Sequence, residues 1–240
     1  MDQITALAII TLAALLQSSF QLSVSMATLL SNHSIGSKHS GRRTTNLILG
    51  FLFGVITMTT LVISFLAYAA TVSFRGFIPA AAWGVVCGLM IGLGLAVWAF
   101  YYRRKSGTSL WIPRGMARFL SERTKATKSM VESFSLGLTS VVAELLFSIA
   151  PAAAAALALT YLPSRWQIGG LALYVVIATL GITVVTMLVG GGHKISTIQR
   201  WREQNKRFLQ FAAGSGFLVL GAFIYANIVA VAALADGVVR

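Results

Sequence analysis

Glu144 is the one ionisable residue in the stretch SVVAELLFSIAPAAAAALAL (140–159), whose other residues are small or apolar. A carboxylate at membrane depth costs at least about 2.5 kcal/mol on insertion scales, so it must pair, protonate or face water. Residues four apart share a helix face. That spacing groups Ser140, Glu144 and Ser148, with Pro151 a further turn along. The first apolar segment carries a matching stripe of Gln17, Gln21 and Ser25, with Thr28 close by. No Lys, Arg or Asp lies inside any apolar segment. The expected partners of Glu144 are therefore Gln17, Gln21 and serine hydroxyls. Such a site suits a proton-coupled step or a cationic solute. The competing reading is a protonated Glu144 that ties two helices together by hydrogen bonds. Pro151 lacks a backbone donor and clashes with the carbonyl of Phe147. A helix break is expected there, freeing a carbonyl beside the stripe, as at many transporter sites.

Other chemistries find little to work with. There is no catalytic triad, no pair of carboxylates and no cofactor motif, so no enzymatic activity and no cofactor are expected. VGGGHK (189–194) lacks the G-x-x-x-x-G-K-[ST] spacing of a phosphate loop. His33, His39 and His193 fall in loops without ligand spacing to Cys or acids, so no metal site is expected. Cys87 is the single cysteine, which leaves no internal disulfide and no dithiol relay. It is expected to pack as a small hydrophobe.

These residues need helices to hold them. The chain has 240 residues, 57% hydrophobic and 10% charged, where a soluble domain carries about 25% charged residues. Apolar runs well past 18 residues recur, the mark of membrane spans. An all-α protein with six spans is expected, at about 4–30, 46–71, 78–102, 130–160, 166–191 and 208–234. MDQITALAII begins with no basic n-region, so no cleavable signal peptide is expected. Gly50 and Gly54, and Gly84, Gly88 and Gly92, recur every four residues and are expected to let helix backbones approach closely.

The net charge is +13, and its distribution is one-sided. Lys38, Arg42 and Arg43 lie in the first loop. Arg103, Arg104, Lys105, Arg114, Arg118, Arg123, Lys125 and Lys128 lie in the third, and Lys194, Arg200, Arg202, Lys206 and Arg207 in the fifth. Only Arg75, Arg165 and Arg240 fall on the other side. The positive-inside rule puts both termini outside the cytoplasm. The charge then serves topology and contact with anionic inner-leaflet lipid rather than nucleic acid. In the third loop, Trp111, Met116, Phe119 and Leu120 sit among the basic residues, which fits either a short interfacial helix or a disordered basic linker.

That loop, 103–129, separates two halves, 1–102 and 130–240, of three spans each. The same offset of 127 residues relates Gln17 to Glu144 and Gly94 to Gly221. Span 1 and span 4 enter the membrane from opposite sides. The halves thus read as an inverted-topology repeat, a construction common in secondary transporters.

SFSLGLTSVVAELLFSIAP and RWREQNKRFLQFAAGSGFLVLGAF resemble the fourth and last helices of the peptidoglycolipid-addressing proteins within the lysine-exporter (LysE-type) superfamily. That superfamily also holds the CcdA/DsbD-type thiol-electron transporters. As architecture the resemblance covers nearly the whole chain. It implies a bacterial inner-membrane protein, with Glu144 in the place of the asparagine of an Asn-Pro-Lys signature. Leu145 and Leu146 replace the rest of that signature, the first-helix prolines are absent, and so are the paired cysteines of the thiol transporters. The resemblance supports the fold without transferring a substrate. The function expected is export of a small solute by alternating access, with or without proton coupling, with Glu144, Gln17, Gln21, Ser140 and Ser148 at the site. The alternative is a non-catalytic scaffold for export of lipid or envelope components. The partners considered are lipid, the solute or ion, and a second copy of the chain.

Overall fold

The computed structural model describes residues 1–19, 30, 40–75, 77–101, 114–190, 201 and 204–238, and among these every regular element is helical. In chain order they are α1 (Gln3–Ser19), α2 (Ser40–Phe74), α3 (Ala80–Tyr101), α4 (Arg114–Ala126), α5 (Met130–Thr160), α6 (Ser164–Ala178), α7 (Leu180–Gly190) and α8 (Lys206–Ile224). A π-helical turn, Tyr225–Val229, carries α8 into α9 (Ala230–Val238). Four helical stretches are long and apolar enough to cross a membrane: Thr44–Phe74, Ala80–Ala99, Met130–Thr160 and Arg207–Leu234. The bent pair α6–α7 makes a fifth if counted as one span, while α1 as described is shorter. The chain is therefore a membrane-embedded, all-helical protein.

The outward faces agree with that medium. On α2, Leu61, Phe65, Tyr68 and Val72 follow one another at three- and four-residue steps, and all are exposed. Soluble monomers rarely expose a contiguous run of large apolar side chains of this kind. It matches what hydrocarbon accepts.

The helix α5 is the centre of the bundle. Its C-terminal half, Ala150 to Leu159, is buried apart from the half-buried Ala153. Alanine is the residue that lets helices close in around a shared axis helix. The start of α5 is fixed by its cap. Ser129 accepts from the Glu132 amide (3.2 Å), and the Glu132 carboxylate accepts from the Lys128 amide (2.7 Å), a variant of the capping box.

Glycines set three of the helix contacts. Gly50 lies against the carbonyl of Met130, and Gly54 against Phe134 and Gly137, so α2 and α5 run parallel in backbone contact. The Ser133 hydroxyl adds a bond across this pair to the carbonyl of Leu47, at 2.6 Å. Gly94 faces Gly214 and Leu218, while Gly221 faces Met90 and Ile91, so α3 and α8 run antiparallel. Trp98 stacks on Phe211 there, with ring centroids 5.5 Å apart. Ile10 lies beside Gly170, and α1 and α6 run parallel.

Two expectations are corrected. Around Gly84, Gly88 and Gly92 an added methyl would meet nothing within 4 Å. These residues do not mediate packing among the described helices, because α3 turns Gly94 rather than this stripe toward α8. And α5 is one uninterrupted helix through Pro151. A buried proline inside a packed membrane helix is tolerated when neighbours hold the helix in place. A break falls instead between α6 and α7, which are bent by 56° at Thr179. In the third loop a helix, α4, forms over Arg114–Ala126, with Leu120 and Thr124 buried against the bundle.

Candidate functional site

Among the described residues the buried apolar side chains fall into two clusters. The larger includes Ile9, Ile10 and Ala13 of α1, Ile63 of α2, Trp83 and Met90 of α3, the alanines of α5 from Ala150 onward, Tyr174 of α6 and Phe217 of α8. The smaller includes Phe51, Leu52 and Val55 of α2, Leu120 of α4, Leu136, Val141 and Ala143 of α5, and Ile182 and Val185 of α7. Three spans pass from one core to the other, and each carries buried polar residues in the interval. On α2 the interval between Val55 and Ile63 holds Thr59. On α5 the interval between Ala143 and Ala150 holds Glu144 and Ser148. In the fifth span the interval between Tyr174 and Ile182 holds Thr179. A buried polar group has to be hydrogen-bonded or face water, so this polar seam is the candidate site.

Glu144 is 7% exposed, so it faces the bundle and not the acyl chains. Ser140 and Ser148 are buried on the same face. Their hydroxyl protons are already committed: Ser140 donates to the carbonyl of Gly137 (2.8 Å) and Ser148 to the carbonyl of Glu144 (3.1 Å). Each hydroxyl therefore offers the seam acceptor lone pairs only. Together with the carboxylate, they make this wall a surface that receives donors.

Gln17 is buried at the end of the larger core nearest the seam. Its Oε1 accepts from the hydroxyl of Tyr174, itself fully buried. This corrects the expected pairing of Gln17 with Glu144. The helix α1 lies alongside α6, and a buried tyrosine hydroxyl requires a partner, so the oxygen of Gln17 turns to α6. Gln21, with Ser25 and Thr28, lies outside the described residues, as do Trp111 and His193.

Three residues of this region carried no weight in the sequence reading: Tyr174, Thr59 and Thr179. Thr179 ends α6, and its hydroxyl bonds to the carbonyls of Val175 (2.8 Å) and Val176 (3.4 Å). Such back-bonding to the preceding turn bends helices. The signal is legible as ATLGIT (178–183), a threonine two residues before a glycine in the middle of an apolar run, and it is weaker than that of the proline in the polar stripe. Thr59 stands between Thr57 and Thr60 in the sequence, and its burial and its missing back-bond separate it from them.

The chain matches no protein-family model, no curated protein and no solved structure.

Proposed function

We propose that this protein is a secondary transporter of the LysE type, exporting a small solute by alternating access. Its six spans form two inverted triplets with both termini outside the cytoplasm. The observation that carries the reading is the burial of Glu144 in a polar seam between two apolar cores. A carboxylate among committed hydroxyls would bind a proton or a solute bearing hydrogen-bond donors, and the choice between them would couple the two. The bend at Thr179 gives the fifth span two rigid pieces, α6 with the larger core and α7 with the smaller, and motion between them would open the seam to either side.

Helix directions support the topology: α2 with α5 and α1 with α6 are parallel, α3 with α8 antiparallel, as alternating crossings require. The repeat is supported by Gly94 and Gly221, the pair related by the 127-residue offset, which both turn toward the partner helix. The basic helix α4 would lie on anionic inner-leaflet lipid, with Arg123 over the ring of the exposed Phe119 at 5.4 Å.

The test is export from proteoliposomes loaded with a panel of radiolabelled amino acids and amines, over a range of pH. Glu144→Gln should cut the flux of at least one solute and flatten its pH dependence. Equal flux and equal pH dependence in the two proteins would end the claim.

A further inference from the structure

We propose that Thr59 lines the solute path, so that α2 forms a wall of the seam beside Ser140 and Glu144; this rests on the transport reading above. In a helix, a threonine hydroxyl has a ready acceptor in the carbonyl one turn back. The threonines beside Thr59 use it: Thr57 donates to Phe53 and Thr60 to Ile56, each at 2.8 Å. Thr124, Thr139, Thr183 and Thr186 do the same. Thr59 does not. It is 1% exposed, and its Oγ1 has no hydrogen-bond partner among the described residues.

Position gives this orphan its meaning. Thr59 occupies the interval of α2 between the two cores. Because α2 and α5 run parallel with Gly54 against Gly137, Thr59 comes level with α5 within about one turn of Glu144. Along the seam, Ser140, Ser148 and Thr179 have committed their protons to backbone carbonyls. Thr59 is the described seam residue whose hydroxyl proton is uncommitted. It complements the acceptor wall of α5, and it would donate to an acceptor group on the solute or to water accompanying it.

Two variants test this, the first without knowledge of the solute and the second with a solute found in the export panel. Cys87 is the single cysteine, so Cys87→Ala provides a thiol-free background. In that background Thr59→Cys is compared with Phe51→Cys and Ala154→Cys, both taken from fully buried positions in the two dry cores. The probe is a trimethylammonium-ethyl methanethiosulfonate applied to the protein in lipid vesicles. Modification at position 59 should run at least about tenfold faster than at either control, since thiol reactivity follows access. A rate no faster than the controls overturns the proposal whether or not the protein transports. The second variant is Thr59→Val, equal in shape and lacking the hydroxyl. It should unfold at the same or a higher temperature, because a buried unbonded hydroxyl is gone, while export falls about tenfold, the rate equivalent of one hydrogen bond. Undiminished export by Thr59→Val overturns the proposal. Failure of the transport reading looks different: wild type and Glu144→Gln behave alike while the labelling at position 59 still gives its own answer.

Discussion

Among the described residues, buried side-chain hydrogen bonds mostly stay within their own helix, and those that cross between helices include Ser133 to the carbonyl of Leu47 and Tyr174 to Gln17. Tyr174→Phe removes the donor and leaves a buried amide oxygen unbonded. Cycles between membrane helices put such bonds at about 0.6 kcal/mol on average and about 1.7 at most. Tyr174→Phe should therefore lower stability by about 1 kcal/mol, read as a drop in melting temperature in detergent, with little effect on export. At the other end of α1, Asp2 precedes the first turn, and its main-chain carbonyl accepts from the Ala6 amide (3.1 Å). Hydrogen bonds from the Thr5 side chain, then from backbone amides, hold its carboxyl below the ordinary aspartate value. A depressed folded-state value means the contribution is present above the unfolded value and lost as pH falls through the folded one. The protection factor for hydrogen exchange at the first turn of α1, taken against the intrinsic rate at each pH, should fall in acid, below the usual aspartate range. Asp2→Asn should remove most of that pH dependence, since it no longer titrates.

Among elements, the glycines make a sharp contrast. A methyl on Gly54 would collide with the carbonyl oxygen of Phe134, whereas one on Gly88 would meet nothing within 4 Å. Gly54→Ala forces α2 away from α5 and should cost about 1–3 kcal/mol, the usual range for overpacking. Gly88→Ala should be neutral or up to about 1 kcal/mol stabilising, the helix preference of alanine over glycine. Thermal melts of the two variants decide this. Regular spacing made both positions look alike in the sequence. Which stripe becomes an interface depends on how each helix is rotated about its axis, and spacing carries no information on that rotation. The break of the fifth span followed the same logic. Proline in α5 was a local signal, but it sits in a helix enclosed on most sides. Thr179 had a weaker local signal at a place where the span must pass from one core to the other.

The described helices form a bundle with apolar outward faces, two apolar cores and buried polar residues in the interval between them. Its topology is open to a direct check. Alkaline phosphatase joined after Arg240 should be active and green fluorescent protein dark at the same site, with the reverse result for fusions at Lys125. Active phosphatase at Lys125 would invert the arrangement and with it the sense of the basic loops.

Hydropathy, helical period and loop charge are local properties. The sequence by itself therefore determined that the chain is helical and membrane-embedded, where most of its long helices lie, and that Glu144, Ser140 and Ser148 share one face. Their burial could be expected from that face because no lipid-exposed carboxylate would be stable. Only the tertiary structure decided which residues meet: that Gln17 turns to Tyr174, that Gly94 rather than Gly88 touches another helix, that the interior divides in two, and that Thr59 faces the division. These outcomes depend on the rotation and register of each helix against its neighbours. Those are set by the sum of many small contacts, which no single stretch of the chain contains.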